Sequence, residues 1–256
     1  MTKNLVYEIQ NLGWTKITSA FDSRYIDFAK ESIEKSKKIY ARAQLKAGLQ
    51  KETVGTTHHL PFLFPELVKA TFNDDVWSFL GNYFEGKFIL GSFGSTTLVP
   101  KGSTYTQKMH RDARDSYSAR DMLNLIILLD DSDVCNGATK MLEKSHLDDR
   151  RPSDLEFARD AISISGSAGD MIAFNPYAWH STGQNNTKNP RTIITPMVTR
   201  PFLKPSADYI RGIGEEQVRK MNHRMRQILG YYARTPASLS EFYQPKHKRY
   251  YRADQV

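Results

Sequence analysis

Between residues 86 and 205 the chain is a succession of short segments rich in β-branched and aromatic residues. Gly, Asp, Asn and Pro separate them, as the segments KFILGSFGSTTLVP, MLNLIILLD, AISISGSAGDMIAFNP and RTIITPMVTRPF illustrate. β-branched and aromatic side chains favour strands, and turn-forming residues end each strand after a few positions. Several short strands at this spacing favour a sandwich or barrel over a parallel α/β sheet.

The parts of the chain on either side show helical periodicity instead. Residues 22–45 carry apolar side chains at helical spacing behind Asp22 or Ser23 as the capping residue. Residues 66–84 predict a second helix or a pair of shorter ones. Residues 214–232 predict a helix with an apolar stripe, acidic at its start and basic later, which matches the helix dipole.

No internal repeat and no low-complexity linker divides the 256 residues. We therefore expect a single domain over residues 1–256. Its predicted parts are a helical N-terminal part (about 1–85), a jelly-roll core (about 86–205) and a C-terminal helical part (about 206–256). The predicted fold class is mainly β with flanking helices.

The net charge is +8, from 36 Lys and Arg against 28 Asp and Glu. The basic residues are scattered apart from a cluster in QPKHKRYYR, so a nucleic-acid partner is not expected. No apolar run approaches the roughly 20 residues that a membrane span needs. The N-terminus has no continuous apolar segment and Cys135 is the only cysteine, which favours a cytoplasmic protein. Oligomeric state stays open.

A His-x-Asp pair lies in the β-rich part, at His110 and Asp112. Side chains two apart on a strand point to the same face, so this pair can hold one metal ion together. His180, in NPYAWHSTGQN, is the best candidate for a third ligand. Two His and one carboxylate on one face of an ion leave three positions open, as in non-heme Fe(II) oxygenases.

The residues after His180 strengthen this interpretation. Thr182 follows at +2 and Arg191 at +11, at the start of the strand RTIITPMVTR. An Arg inside a barrel can pair bidentately with a carboxylate, and an unpaired one there would be costly. Thr182 shares the strand face of His180 and can donate its hydroxyl hydrogen bond to the same carboxylate.

Four segments together resemble the phytanoyl-CoA dioxygenase family of Fe(II)/2-oxoglutarate oxygenases. They are HRD, LNLIILLDDSDVCNG, TKMLEKSH and, about 70 residues after HRD, WHSTGQNNTKNPR. The resemblance covers roughly residues 85–205. It departs from the family at Glu143-Lys144, where Pro-Gly is usual, and we expect that difference to affect only a turn.

The resemblance implies a double-stranded β-helix (cupin-like jelly roll) and Fe(II) on the two histidines and the aspartate named above. It implies that Arg191 anchors the co-substrate 2-oxoglutarate, with help from Thr182, and places Asn124 beside the co-substrate pocket. The implied reaction uses O₂, releases succinate and CO₂, and hydroxylates a small polar or anionic metabolite.

Two further segments are candidate substrate contacts. His58 and His59 lie in a polar loop between helices, where binding residues often occur. Residues 111–121 carry Arg111, Arg114 and Arg120, and predict a lid whose arginines hold an anionic group of the substrate, with Arg114 nearest the metal along the chain.

Three alternatives to the hydroxylase share the same core. Halogenation generally requires a non-ligating residue at the position of Asp112, so the carboxylate disfavours it. A nucleic-acid-directed oxidative demethylase resembles a pattern with a second Arg where Met197 stands. A non-catalytic metal-binding jelly roll would not need a carboxylate clamp such as Arg191 with Thr182.

Overall fold

The computed structural model describes residues 2–113 and 120–249. Within these residues the helices are α1 (Thr2–Leu12), α2 (Ser23–Ala47), α3 (Pro65–Thr71), α4 (Asp74–Phe84), α5 (Asp154–Asp160), α6 (Tyr209–Ile213), α7 (Glu215–Lys220), α8 (His223–Ile228) and α9 (Leu239–Phe242). The strands are β1 (Trp14–Ile17), β2 (Thr56–His58), β3 (Ile89–Leu98), β4 (Met122–Leu128), β5 (Thr139–Met141), β6 (Ile162–Ile164), β7 (Met171–Phe174), β8 (His180–Thr182) and β9 (Arg191–Thr199).

The strands form two antiparallel sheets. The larger sheet has the order β1-β7-β4-β9-β3-β2 and the smaller one the order β6-β5-β8. The longest pairing joins β3 to β9, with a register shift between Leu90 and Ser92. The predicted mainly β architecture with flanking helices is confirmed.

β4 lies at the centre of the core and is buried on both faces. Leu125 and Ile127 belong to the apolar cluster that includes residues of α2, α3 and α4. Ile126 and Leu128 belong to a second cluster, with residues of β5 and β6 from the smaller sheet. Because side chains alternate across a strand, Asn124 lies on the face that looks towards the smaller sheet.

The two predicted N-terminal helical regions form as expected. Asp22 begins α2 by accepting a hydrogen bond from the backbone N–H of Tyr25 at 3.0 Å. The region predicted over 66–84 is the pair α3 and α4. The break comes at Asn73, whose side chain accepts from the N–H of Val76 and starts the second helix.

The single helix predicted over 214–232 is wrong. The side chain of Asn222 accepts a hydrogen bond from the N–H of Met225 at 2.9 Å and starts α8. An Asn in this position competes for local backbone groups and favours a new helix start over continuation of α7.

The N-terminal part was expected to be helical, but it also contains two strands. β1 pairs with β7, and β2 pairs with β3 at the other edge of the larger sheet. In the second pairing His58 lies opposite Gly94. In the described part of the chain, no helix combines the length and apolar composition of a membrane span.

Candidate active site

The predicted metal ligands lie on two neighbouring segments of the chain. His110 and His180 form an antiparallel bridge in which each backbone N–H donates to the other's carbonyl oxygen at 3.0 Å. The backbone N–H groups of Asp112 and Ala113 both donate to the carbonyl oxygen of Pro176 at 3.1 Å. Residues far apart in sequence are thereby held side by side at the edge of the smaller sheet.

The three side chains converge on one point. Nε2 of His110 lies 3.5 Å from Oδ1 of Asp112, and Nε2 of His180 lies 3.6 Å from Oδ2. One ligand atom from each residue falls within 4.8 Å of the others. Two imidazoles and one carboxylate at this separation can bind a divalent metal on one face and leave the opposite face open.

Backbone carbonyls orient both imidazole rings. Nδ1 of His110 lies 2.7 Å from the carbonyl oxygen of Lys108, and Nδ1 of His180 lies 3.0 Å from that of Ala178. A carbonyl only accepts, so each Nδ1 donates its proton there, and Nε2, which faces Asp112, is the nitrogen left to bind a metal. This is the tautomer that a metal ligand requires.

The two histidines differ in electrostatic surroundings. His180 is buried, and burial lowers its pKa, so the neutral ring is favoured. Burial also acts against charge on His110, but the hydrogen bond and charge of Asp112 outweigh it and raise that pKa.

Asn124 makes a contact that the sequence did not predict. It is 6% exposed, and its Nδ2 donates a hydrogen bond to Oδ2 of Asp112. The family resemblance placed this residue beside the co-substrate, whereas the structure joins it to a metal ligand. Asn124 therefore orients the carboxylate.

Replacing Asn124 with leucine is expected to weaken Fe(II) binding by roughly 10- to 100-fold, as loss of a partner that orients a ligand typically does. The apolar side chain keeps the volume and removes this hydrogen bond to the Asp112 carboxylate. Anaerobic titration measures the affinity. Ser92→Ala, in the same cavity wall, is the control, and equal affinities for the two variants would contradict the assignment.

Arg191 is a buried cation on β9. The residue is 1% exposed, and its Nε donates to the carbonyl oxygen of Asn136 at 3.3 Å. Its two terminal nitrogens have no hydrogen-bond partner in the described part of the chain. Burial lowers the pKa of the guanidinium to about 10, so it stays charged at neutral pH. A buried, charged donor pair of this kind fits a carboxylate ligand.

The position of Arg191 on β9 aims it into the space between the sheets. Alternation along the strand puts it on the same face as Ile193 and Thr195, which line a cavity of about 380 Å³. The metal triad and Thr182 line the same cavity. Among the described residues the triad thus offers this cavity a metal site, whereas Arg191 itself is not in the lining.

Thr182 has a neighbour that sequence reasoning missed. Its hydroxyl donates to the hydroxyl of Thr106 at 2.9 Å, and both residues line the cavity. Thr139 lies opposite Thr182 in the register of β5 and β8 and lines it too. A search for hydroxyl residues shortly before His110 could have found Thr106, but only the strand register identifies Thr139.

His58 and His59 both reach the cavity from β2 and the turn after it. Nδ1 of His59 lies 3.0 Å from the hydroxyl of Tyr209, and its ring centroid lies 5.7 Å from that of Phe62. His59 has a left-handed backbone with φ 58°, a conformation that non-glycine residues seldom adopt outside functional or tightly packed sites. Desolvation lowers the pKa of both histidines.

No arginine of the predicted lid is among the described residues that line the cavity. Arg114 lies outside the described residues. Arg120 forms an ion pair with Glu85 at 2.6 Å and is not among the described residues that line the cavity. Arg111 donates to the carbonyl oxygens of Ser145 and Asp148. Its guanidinium is therefore engaged away from the metal ligands.

The sequence profile of the phytanoyl-CoA dioxygenase family (PhyH) matches residues 12–193, which include the whole triad and Arg191. The chain belongs to this family. The family predicted from the sequence is thereby confirmed. The predicted enzyme class and cofactors are those of solved structural neighbours, which bind Fe³⁺ or nickel together with 2-oxoglutarate.

Two mycobacterial proteins are similar in sequence. Uncharacterized protein Rv1501 of Mycobacterium tuberculosis and Uncharacterized protein Mb1539 of Mycobacterium bovis are each 34% identical over 133 residues. The aligned part is 52% of this chain and 49% of each relative. The chain thus spans about half the length of the curated relatives it matches.

Solved structures of similar fold include a Streptomyces protein and enzymes of nogalamycin biosynthesis. AviO1 from Streptomyces viridochromogenes Tue57 has a TM-score of 0.65 at 17% identity, covering 81% of this chain and 98% of that one. The carbocyclase SnoK from nogalamycin biosynthesis has a TM-score of 0.65 at 16% identity, covering 87% and 91%. The epimerase SnoN, in complex with Fe³⁺, α-ketoglutarate and nogalamycin RO, has a TM-score of 0.62 at 16% identity, covering 80% and 86%. These similarities support the predicted jelly-roll core.

Proposed function

We propose that the protein hydroxylates a small polar or anionic metabolite, with Fe(II) bound by His110, Asp112 and His180. The proposal rests on the buried guanidinium of Arg191, whose two terminal nitrogens have no hydrogen-bond partner among the described residues. The triad alone would suit several divalent metals. A charged donor pair with no carboxylate partner in the described residues accounts for a dicarboxylate co-substrate in addition to the metal.

Each residue then has a chemical role. Iron with 2-oxoglutarate and O₂ supplies the oxidising power for an unactivated C–H bond, with succinate and CO₂ as co-products. The neutral Nε2 atoms and the Asp112 carboxylate hold the metal. Arg191, with Thr182, binds the distal carboxylate of 2-oxoglutarate. The apolar side chains behind them, such as Phe174 and Ile193, exclude water from this end of the cavity.

The cavity lining favours the polar over the anionic alternative. Asp112 is its one carboxylate among the described residues, and no Lys or Arg of those residues is in the lining. His58 and His59, whose lowered pKa favours the neutral ring, and Tyr105 are also in the lining. Such groups exchange hydrogen bonds with hydroxyl, amide or carbonyl groups of a substrate.

The carboxylate of Asp112 also favours hydroxylation over halogenation. It occupies the coordination position that a halide would need, and Asn124 holds it there. The terminal nitrogens of Arg191, which have no hydrogen-bond partner in the described residues, favour an oxygenase over a metal-storage module for the reason given above.

Wild-type protein titrated anaerobically with Fe(II) and 2-oxoglutarate is expected to develop a visible charge-transfer band. With O₂, a screen of metabolite pools is expected to reveal substrates that stimulate succinate release. Absence of iron binding, together with no succinate above background across a broad panel, would refute the proposal.

A further inference from the structure

Arg111 and Trp179 lie next to the metal ligands on the same two segments. His110 and His180 are antiparallel bridge partners, so the next residues that face each other across the two segments are Arg111 and Trp179. Side chains alternate along extended backbone, so this pair lies on the face opposite the metal ligands. The guanidinium carbon of Arg111 lies 4.9 Å from the ring centroid of Trp179, within cation–π range.

Both members of this pair are joined to one turn of the chain, residues 142–148. Arg111 donates to the carbonyl oxygens of Ser145 and Asp148. The backbone N–H of Trp179 donates to Oγ of Ser145 at 2.8 Å, and its carbonyl oxygen accepts from the N–H of Leu142 at 2.9 Å. One turn thus holds the segment of His110 and Asp112 and the segment of His180 at the same time.

The turn itself is anchored to the N-terminal part. The N–H of Lys144 donates to the carbonyl oxygen of Leu12 at 2.8 Å, and Nε1 of Trp14 donates to Oε1 of Glu143 at 3.1 Å. Lys144 has a left-handed backbone with φ 62°. The sequence departs from the family pattern at Glu143-Lys144, and these residues do more than shape a turn. The side chain of Glu143 links this turn to β1 at the edge of the larger sheet.

We propose that Arg111 and Trp179 are positioning residues that set the separation of the two ligand-bearing segments and so preorganise the iron site. The inference rests on the proposed function, since it concerns the same metal. The bridge supplies two backbone hydrogen bonds between His110 and His180. The cation–π contact and the shared turn restrain the two segments on the opposite face, in addition to these bonds and to those that Asp112 and Ala113 donate to Pro176.

Arg111→Met tests the proposal because it keeps the side-chain length and removes the charge and the donors. Anaerobic titration is expected to show Fe(II) binding weakened by roughly 10- to 100-fold. Arg224→Met is the matched control. Arg224 lies 5.3 Å from the ring centroid of Trp77 and pairs with Asp74, away from the cavity lining. The unfolding midpoint of each metal-free variant is measured alongside, and only Arg111→Met should lose iron affinity.

A second pair of variants keeps the test decisive if Arg111→Met does not fold. Trp179→Phe retains an aromatic face and should bind Fe(II) within about threefold of wild type, whereas Trp179→Leu should behave like Arg111→Met. Wild-type affinity in Arg111→Met, or equal affinities in the two Trp179 variants, would overturn the inference. The proposed function would still stand after either of these outcomes, provided that wild type binds iron and Asp112→Ala does not. Failure of wild type to bind iron would remove both.

Discussion

Replacing Asp112 with alanine is expected to abolish Fe(II) binding and succinate release together. Its two carboxylate oxygens face the Nε2 atoms of both histidines at 3.5 and 3.6 Å, so the triad has no anionic ligand without it. The loss should exceed the roughly 10- to 100-fold cost of removing a supporting partner. Anaerobic titration should show no charge-transfer band at metal concentrations that saturate wild type.

Asp121→Ala is the control for that change. Asp121 lies 4.0 Å from the Nε of Arg200 and is not among the described residues that line the cavity. It should keep wild-type iron affinity and turnover. Iron binding by Asp112→Ala at wild-type affinity would contradict the proposed ligand set, even if turnover were lost.

Replacing Arg191 with methionine is expected to weaken 2-oxoglutarate binding without destabilising the fold. Truncating one member of a buried charge pair costs about 2–5 kcal/mol of binding, so the Kd for 2-oxoglutarate should rise by roughly 30- to several-thousand-fold. The metal-free, co-substrate-free protein should be as stable as wild type or more so. The Arg191 guanidinium is fully buried, and its two terminal nitrogens have no hydrogen-bond partner in the described residues. Removing such a charge relieves a desolvation cost.

Titration with 2-oxoglutarate and chemical denaturation measure these two quantities. Arg200→Met is the control, since Arg200 follows the end of β9, is partly exposed and approaches the Asp121 carboxylate. It should leave the Kd for 2-oxoglutarate unchanged. A large loss of stability in Arg191→Met without a change in that Kd would show that Arg191 is a structural residue instead.

Much of the fold follows from local pattern. The β-branched segments between residues 86 and 205 form the core strands, and the side chain of Asp22 starts α2 where the cap was predicted. The prediction fails where a short polar side chain decides whether a helix continues or a new one begins. Asn222 starts a new helix within an apolar stripe that is periodic across it, so periodicity alone predicts one continuous helix.

The edge strands show a different kind of error. β1 and β2 have three or four residues each and pair with strands far along the chain, β7 and β3. A segment that short has little periodicity of its own, because its conformation depends on the hydrogen bonds its partner offers. The sequence therefore predicted a helical N-terminal part where two strands also form.

By itself the sequence determined the chemistry available at the site. Residue types and short spacings place a carboxylate two positions after His110 and a hydroxyl two positions after His180, and these depend only on local backbone geometry. Tertiary structure decided which groups meet. It brings His180 beside His110 through one bridge and joins Asn124 to Asp112. It turns Arg111 away from the metal and leaves Arg191 buried without a carboxylate partner in the described residues. Cross-strand register and burial depend on contacts between distant segments, which no local spacing specifies.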